Sequence, residues 1–506
     1  MNKQPTHFNP TKPRPRLKRL LPIGALIFLA AACSRASLAS PPENSPPAAF
    51  AEHLDRRLPA YMERYQVPGA AVALVEEGQM VWSGAYGYAD LAQRIKMTPA
   101  THCRAQSIAK SVTAWGVIKL AEEGRIDLDH PVSAYLSSWD FPGNPDYAGI
   151  VTVRQLLTHT GGVQRGTVGV HYGPEGDRPS LYSNLSQEAH FRHRPGESFL
   201  YSNPGYNVLE VLVEDVTGRT FADYMKQEVL LPLGMGQADF EWQPDWSPGV
   251  AVGYDVQGDP VPVYVYPEKA SGGLFATVED LAAFAAAAAG PSSPTETQGV
   301  LDPSAQRQLY TPQAALTGQY RLISESYGLG HFIDQLKGGQ NAVWHGGQGH
   351  GWMTHFHAVP GTGRAIVILT NSQRSWPVIA RVLRDWSAWN GFGPAGMEII
   401  ITGSRAVLGL AGCITALVLW GAFRLGQEIR SRKRQFAPHR SLGRLQNLTW
   451  IGTGLILIGG LVWFFSREYT FFSVVFPLAS RWLGYSLGAA AGLLIFRGLS
   501  PAGAEG

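Results

Sequence analysis

The spacing of apolar residues changes along the chain and divides it into helical and extended segments. Residues 49–65, AFAEHLDRRLPAYMERY, place apolar side chains at helical intervals and predict an opening helix. Residues 69–75, GAAVALV, and 79–89, QMVWSGAYGYA, flank the turn Glu76-Glu77-Gly78. Two apolar runs joined by a short turn predict a β-hairpin.

Strands return near the other end of this region. Residues 352–359, WMTHFHAV, and 364–371, RAIVILTN, are strand-like runs that precede a predicted helix at 376–390. Between the two strand pairs, residues 125–335 are rich in Gly, Pro and short helical patterns. This order predicts an α/β fold, in which a mixed antiparallel sheet is flanked by helices and carries an inserted, mostly helical region.

The N-terminus has the layout of an export signal. The basic tract KPRPRLKR at 12–19 precedes the apolar run LLPIGALIFLAAA, and small residues follow. We therefore predict a signal or anchor segment over 1–40, and a linker, PPENSPPA, over 41–48. The stretch LAAAC resembles a bacterial lipoprotein box ending at Cys33. The sequence leaves open whether this segment is cleaved, lipidated or retained.

The C-terminal residues 396–506 predict a membrane domain with two to three transmembrane helices. Residues 406–423 and 448–465 are uncharged runs of 18, near the minimum that spans a bilayer, and a third run, 471–496, is interrupted by Arg481. The loop between the first two runs holds seven Lys or Arg and one acidic residue. By the positive-inside rule it is cytoplasmic, which places the large domain on the extracytoplasmic side of a bacterial cell membrane.

Composition and charge narrow the functional classes. Charged residues make up 16% of the 506, below the usual quarter, because both ends are apolar. The net charge of +3 argues neither for nor against a nucleic-acid partner, and no P-loop, dinucleotide fingerprint or nucleic-acid module is apparent. We predict a membrane association, no nucleic-acid partner and no cofactor.

The cysteine and histidine residues give little support to a disulfide or a metal site. Cys103 is the one cysteine in the soluble region, so no internal disulfide can form there, and a small buried filler is the more common role. His345, His350, His355 and His357 suggest zinc, but no HExxH pattern or cysteine pair accompanies them. We predict no metal site.

The stretch AQSIAKSVTAW, residues 105–115, places Ser107 three residues before Lys110. Positions i and i+3 share one face of a helix, so an alcohol and an amine at this spacing can form a nucleophile–base pair. The alternative is an ordinary helix start with an exposed lysine, and a lone Ser-x-x-Lys does not decide between them.

Two further motifs accompany this pair: Tyr201-Ser202-Asn203, and His345-Gly346-Gly347 just before a strand. In order and spacing the three motifs resemble those of the class C β-lactamase and D-alanyl-D-alanine carboxypeptidase superfamily of serine hydrolases. The stretches VTVRQLLTHTGG at 151–162 and ASGGLFATVEDLAAF at 270–284 extend the resemblance over about 49–395. We interpret His159 in the first stretch only as part of the end of a short helix.

The resemblance implies a role for each matched residue. Ser107 would be the acylated nucleophile, Lys110 would hold or remove its proton, and Tyr201 would relay the proton to the leaving group. The set that would bind substrate or the oxyanion, through side chains or backbone N–H groups, is Asn203, His345, Gly347 and Gln348. Taken singly, Tyr201 could be a core tyrosine and Asn203 a turn former.

Asn203 would hydrogen-bond Lys110, and the N–H groups of Ser107 and Gln348 would form the oxyanion hole. Gly346 and Gly347 would leave room for a substrate backbone along the strand edge. Many β-lactamases have Lys where this chain has His345, and a neutral imidazole binds a carboxylate less strongly than an ammonium does. Within this family a histidine here resembles the peptidase and esterase branches, which argues against efficient β-lactam hydrolysis.

The sequence therefore predicts an exported, membrane-anchored serine hydrolase with a serine β-lactamase-like fold. It would act through an acyl-enzyme at Ser107 on amide or ester bonds, such as those of D-amino-acid peptides or cell-wall fragments. A penicillin-binding-type sensor, a small-ester esterase of the same fold and a catalytically idle binding module are the alternatives. The oligomeric state stays open.

Overall fold

The protein is described here by a computed structural model, which covers residues 41–166, 171–246, 249–290, 299–441, 444–466 and 471–502. The predicted signal or anchor segment, residues 1–40, lies outside these described residues. The first described helix, α1, begins at Pro47, inside the segment predicted as a linker. Proline is favoured in the first turn of a helix because the N–H that it lacks has no helical partner there.

A nine-stranded sheet forms the centre of the soluble region, and its neighbouring strands are antiparallel. The spatial order is β3-β2-β1-β13-β12-β11-β10-β9-β8, while β4 pairs with β7 and β5 with β6 in two small ladders. The strands are β1 Gly69–Glu76, β2 Gln79–Asp90, β3 Ile95–Lys96, β4 Cys103–Arg104, β5 Gly253–Tyr254, β6 Pro260–Val261, β7 Phe275–Ala276, β8 Ala314–Ala315, β9 Ser326–Tyr327, β10 Phe332–Gln335, β11 Asn341–Gln348, β12 Met353–Val359 and β13 Arg364–Thr370.

The two ends of the domain meet in the middle of this sheet. Strand β1 pairs with β2 on one side and with β13 on the other, with Ala70 opposite Thr370 and Val75 opposite Ala365. Seven of the eight residues of β1 are buried, as expected for a strand that is covered on both faces. The predicted mixed antiparallel sheet is confirmed.

Helices cover both faces of the sheet. They are α1 Pro47–Tyr65, α2 Ile108–Glu122, α3 Pro145–Ala148, α4 Val153–Leu157, α5 Leu181–Glu188, α6 Asn203–Thr217, α7 Phe221–Met225, α8 Val278–Ala289, α9 Pro303–Leu309 and α10 Trp376–Trp389. One face of the sheet packs on α1 and α10. The other packs on α2 and α8 and, beyond them, on the inserted helical region. Helix α2 is buried on nearly all sides because it lies between that region and the sheet.

The C-terminal part is a bundle of long apolar helices. They are α11 Glu398–Arg430, α12 Pro438–Ser441, α13 Leu445–Phe465, α14 Phe471–Val475 and α15 Pro477–Leu499. By length and composition, α11, α13 and α15 could each cross a membrane. The third of these helices begins at Pro477 rather than near 471, because the chain breaks between α14 and α15 at Phe476. A proline that follows the break cannot donate to a preceding helical turn.

The soluble domain packs directly on the beginnings of these helices. Met397, Ile400 and Ile401 belong to the same buried apolar cluster as Trp376 of α10 and Val475 of α14. Burial of a side chain of this size contributes about 1.5–3 kcal/mol. The cluster therefore joins the beginnings of the apolar helices to the face of the sheet that carries α10.

Candidate active site

A cleft of about 500 Å³ lies where the beginning of α2 meets α6 and the C-terminal half of β11. The sequence predicts seven catalytic or substrate-binding residues, and five of them line this cleft. These five are Ser107, Tyr201, Asn203, His345 and Gln348. Lys110 is fully buried directly beneath Ser107.

Ser107 immediately precedes α2, on a turn with an unusual backbone. Gln106, the residue before it, has φ of +54°, in the left-handed region that non-glycine residues seldom adopt. The Gln106 side chain accepts a hydrogen bond from Tyr266 and donates one to the hydroxyl of Tyr264. Such backbone strain persists only where the surroundings fix it, and here it places the half-buried Ser107 at the cleft.

Lys110 is held against Ser107, and no carboxylate of the described residues is paired with it. Its Nζ donates to Ser107 Oγ at 3.2 Å and to the carbonyl oxygen of Ser271 at 2.6 Å. Burial, and secondarily the positive charge of Arg165, lower the pKa of Lys110 well below its usual value. The amine is therefore more readily neutral than an exposed lysine, and a neutral amine can accept a proton from the serine.

The turn that supplies the Ser271 carbonyl is anchored by a buried carboxylate. Glu210 Oε2, on α6, accepts the backbone N–H groups of Lys269 at 2.6 Å and Ala270 at 2.8 Å. Thr113, on α2, donates to the Ala270 carbonyl at 3.0 Å. These bonds fix the turn from two sides. The position of the Lys110 amine thus depends on Glu210, a residue that no motif in the sequence marks.

Tyr201 lies beside Lys110, with its ring centre 4.9 Å from the lysine Nζ. It stacks on Tyr320, and Ser202 caps α6, so that Asn203 begins the helix and faces the cleft. In the described part of the chain, the Lys110 amine donates to Ser107 and Ser271 and not to Asn203. The hydrogen bond from Lys110 to Asn203 that the resemblance implies is therefore not formed in this structure.

His159 has a larger part in the site than its interpretation as a helix end allowed. It follows α4 with φ of +57° and is buried, with its ring centre 4.3 Å from that of Tyr201. Its Nδ1 accepts the backbone N–H of Ser202 at 3.1 Å. The histidine thus supports the Tyr201–Asn203 segment from behind. Its left-handed backbone, which the sequence does not reveal, turns the side chain inward.

His345 is buried on β11 and is neutral. Its Nδ1 donates to the Gly346 carbonyl at 2.9 Å, so its Nε2 is the acceptor for the Tyr327 hydroxyl at 3.2 Å. Burial, and then the nearby Lys110, lower the pKa of His345 well below its usual range. A substrate carboxylate here would meet an uncharged imidazole.

The two glycines after His345 serve packing within the protein. A Cβ on Gly346 would lie 2.7 Å from the Trp376 indole, and one on Gly347 would lie 2.0 Å from Thr354 Oγ1 and 2.3 Å from the Ala105 carbonyl oxygen. The expectation that a substrate backbone leaves no room for side chains at these glycines stays a prediction. Neighbouring parts of the fold already exclude them.

The end of β11 passes along the cleft. Strand β10 pairs with residues 341–344, and residues 345–348 continue past the beginning of β10 while keeping their pairing with β12. The Gln348 side chain lines the cleft and accepts the indole N–H of Trp376 at 2.8 Å. This arrangement brings Gly346 and Gln348 to the same cleft as Ser107, while Gly347 is not among the described lining residues.

The other candidate side chains lie away from this chemistry. Cys103 is fully buried on β4, and burial raises the pKa of its thiol to about 12, so the thiolate form is disfavoured. His355 and His357 are buried on β12 with ring centres 5.7 Å apart. Burial lowers the pKa of His357 to about 3. Both imidazoles are neutral parts of the packed interior.

Comparisons with known proteins agree with the fold and the motifs. The family model described as β-lactamase matches residues 54–387, about two thirds of the chain. Protein flp of Staphylococcus aureus strain N315 is 28% identical over 218 residues, which are 43% of this chain and 43% of flp. The match thus spans less than half the length of this curated relative.

Two solved structures are similar over most of the soluble region. The octameric penicillin-binding protein homologue from Pyrococcus abyssi has a TM-score of 0.61 and 24% identity, and the match covers 71% of this chain and 81% of that one. A penicillin-binding protein from Bacillus halodurans has a TM-score of 0.53 and 25% identity, and the match covers 65% of this chain and 98% of that one. The chain belongs to the β-lactamase family of serine hydrolases, the family that its three motifs predict.

Proposed function

We propose that this protein is a membrane-anchored serine hydrolase that forms an acyl-enzyme at Ser107. One observation carries the proposal: in an open cleft, a buried amine that pairs with no carboxylate in the described parts of the chain lies 3.2 Å from a serine hydroxyl. The Tyr201 ring lies 4.9 Å from the same amine. A nucleophile, a neutral base and a third polar group in contact with the base are what acyl transfer to serine requires.

The reaction has two halves. In the first, Ser107 Oγ forms a bond to the substrate carbonyl carbon, its proton passes to Lys110 or Tyr201, and the bond to the leaving amine or alcohol breaks as that group takes the proton. In the second, water attacks the acyl carbon, the ester bond to Ser107 breaks, and the released carboxylic acid leaves a free serine. Lys110, which is hydrogen-bonded to Ser107, and Tyr201, whose ring lies beside that amine, are the candidates to move the proton.

The oxyanion of each tetrahedral intermediate needs two N–H donors. We assign these to the backbone of Ser107 and Gln348, because β11 and the start of α2 border the same cleft. Preorganised donors of this kind typically contribute a factor of about 10²–10³ each. Asn203, which faces the cleft from the start of α6, is the candidate to bind the substrate amide.

The substrates proposed are amides or esters, with D-amino-acid peptides and cell-wall fragments as candidates. The neutral His345 supplies no positive charge to a substrate carboxylate, which argues against efficient β-lactam hydrolysis and equally against strong binding of a free D-alanyl terminus. The three apolar helices and the basic loop between the first two support an extracytoplasmic domain fixed to a cell membrane.

The test uses the full chain in detergent with two probes, a fluorescent penicillin and a chromogenic ester. Turnover of the ester that Ser107→Ala abolishes supports the proposal. A stable penicillin adduct without turnover favours the sensor. Activity that persists in Ser107→Ala, or reaction with neither probe, argues against catalysis at this serine.

Ser111→Ala is the matched control, since Ser111 is a buried serine one turn further along α2. Its hydroxyl donates to the Gly330 carbonyl. The control variant should turn over the ester as the unaltered protein does.

A further inference from the structure

The cleft around Ser107 has two ends of different chemistry. At one end, Asn184 donates a hydrogen bond to Glu268, and Gln187 and Arg165 are close by in the lining. The other end, the apolar arm, has no charged side chain among its described lining residues. The apolar arm consists of Leu322, Ile323, Met397, Ile399, Ile400 and Phe476.

The wall of the apolar arm comes from the membrane-proximal helix ends. Ile399 and Ile400 lie in the first turn of α11, and Phe476 joins α14 to α15. The Phe476 ring fits against α11 at Gly403, where a Cβ would lie 2.9 Å from the ring. The chain at Gly396 packs equally closely on the Ile323 carbonyl. These contacts hold the arm open beside the catalytic cleft.

The arm lies just before the apolar runs of the same helices. The uncharged run of α11 begins at residue 406, and that of α15 begins at 482, after Arg481. Residues 400 and 476 are each six positions earlier, about 9 Å along a helix at 1.5 Å per residue. In a bilayer this distance places the arm at the level of the lipid headgroups and the first methylenes.

We propose that the apolar arm binds the alkyl chain of an amphipathic ester or amide, taken from the adjacent bilayer, while the scissile carbonyl lies at Ser107. The inference rests on the proposed acyl-enzyme and names its substrate class. Two features identify the occupant: the arm is continuous with the catalytic cleft, and its wall residues lie just before the apolar runs of the same helices. An alkyl chain covers the exposed Ile399 and Leu322, which are 40% and 57% exposed.

The test compares chain lengths with the full protein in dodecylmaltoside micelles at one detergent concentration. The acyl-side series is p-nitrophenyl acetate, hexanoate and decanoate. The leaving-group series is the S-alkyl thioacetates of two, six and ten carbons, followed with a thiol reagent. Full burial is worth roughly fourfold per methylene. We expect kcat/KM to rise at least about tenfold from two to ten carbons in one series.

Long-chain substrates also partition into micelles, but this partition is the same for every protein variant. Variants of the apolar arm therefore isolate the effect of binding in the arm. Ile399→Asn and Leu322→Asn should reduce the ten-carbon to two-carbon ratio of kcat/KM at least about threefold. Ile150→Asn is the matched control, because Ile150 is 43% exposed and lies outside the cleft lining. It should leave the ratio unchanged.

The outcomes distinguish this inference from the proposed function. Ser107-dependent turnover with no gain from chain length, or a gain that both arm variants keep, overturns the apolar arm as a chain site and leaves the acyl-enzyme standing. Absence of Ser107-dependent turnover with every ester overturns both.

Discussion

Lys110 shows how the surroundings of one side chain set its chemistry. A lysine on an exposed helix face is protonated near neutral pH. The lysine beneath Ser107 is fully buried, and none of the carboxylates that the structure describes pairs with it. Desolvation disfavours the charged form, so the pKa falls. The Ser-x-x-Lys spacing predicts that the two residues share a helix face, but the burial depends on the turn at Ser271, which the spacing cannot reveal.

The lowered pKa gives a direction for the pH dependence of acylation. Above the pKa of Lys110 the amine is neutral and can take the serine proton, and below it the ammonium cannot. We expect the acylation rate, measured by rapid quench between about pH 5 and 9, to fall on acidification with a midpoint well below the pKa of a free lysine.

Lys110→Arg is the control for this profile, since an arginine stays charged throughout that range. Above the pKa of Lys110 it should acylate at least about 100-fold more slowly than the unaltered protein, and the gap should narrow on acidification. A flat profile in the unaltered protein would show that Lys110 does not act as the base.

The fold requires a residue without a side chain at position 347, where the sequence has Gly347. A methyl group there would lie 2.3 Å from the backbone oxygen of Ala105, two residues before Ser107. We expect Gly347→Ala to lower the free energy of unfolding by about 1–3 kcal/mol, the usual cost of overpacking, and to slow acylation by displacing the Ser107 turn. Thermal unfolding and the acylation rate measure the two effects.

Thr354 provides the control for Gly347. Removing the Thr354 hydroxyl, which is also close to the added methyl, leaves the clash with the Ala105 backbone in place. Thr354→Ala should therefore not restore the Gly347→Ala variant. Full recovery in the double variant would locate the constraint at Thr354 and not at the Ser107 turn.

At the scale of elements, α6 and the turn at residues 269–271 are coupled through Glu210. Burial raises the pKa of Glu210 to about 7, although Lys269 and two backbone N–H groups oppose the rise. The folded state holds the proton of the Glu210 carboxyl more tightly than the unfolded chain does. Glu210 therefore stabilises the fold at low pH. This stabilisation is lost as the pH rises from about 4.5 through 7.

Glu210→Gln removes this titration. We therefore expect the unfolding free energy of the unaltered protein, relative to that of Glu210→Gln, to decrease by roughly 1–3 kcal/mol between pH 5 and 8. Denaturant unfolding at several pH values measures the difference. A constant difference across this range would show that the folded-state pKa of Glu210 is not raised.

Asp385→Asn is the control with the opposite sign. Asp385 is equally buried but bonds to His53, and this bond and Arg384 lower its pKa. Its contribution is present above the unfolded pKa and is lost on acidification through the folded pKa. The stability difference between the unaltered protein and Asp385→Asn should therefore fall on acidification below about pH 4, the opposite direction to the difference for Glu210→Gln.

The sequence predicted elements whose causes are local and missed contacts between distant segments. The hairpin of β1 and β2 follows from strand patterns around a turn, and Ser107 with Lys110 follows from helical spacing. The support of Tyr201 by His159 joins positions 42 apart, and the bonds of Glu210 to the turn at 269–270 join positions about 60 apart. No periodicity encodes such pairs.

At the scale of the whole molecule, the soluble domain and the apolar helices form one connected structure. Met397 and Ile400 share an apolar cluster with Trp376, and Arg481 at the start of α15 donates to the Val256 carbonyl at 2.7 Å. The sequence predicted the helices from hydropathy, and gave no reason for more than one of them. Their packing against the catalytic cleft supplies a reason, since two of the helix ends form the wall of the apolar arm.

The acyl-enzyme at Ser107 is the claim on which the other proposals depend, and intact-protein mass spectrometry tests it most directly. The full chain is mixed with p-nitrophenyl acetate, quenched in acid during the first turnovers, weighed, and digested for peptide mapping. We predict one added acetyl group on the peptide that contains Ser107, and none in Ser107→Ala. An acetyl group on another residue, or ester hydrolysis that continues at the same rate in Ser107→Ala, would contradict the account.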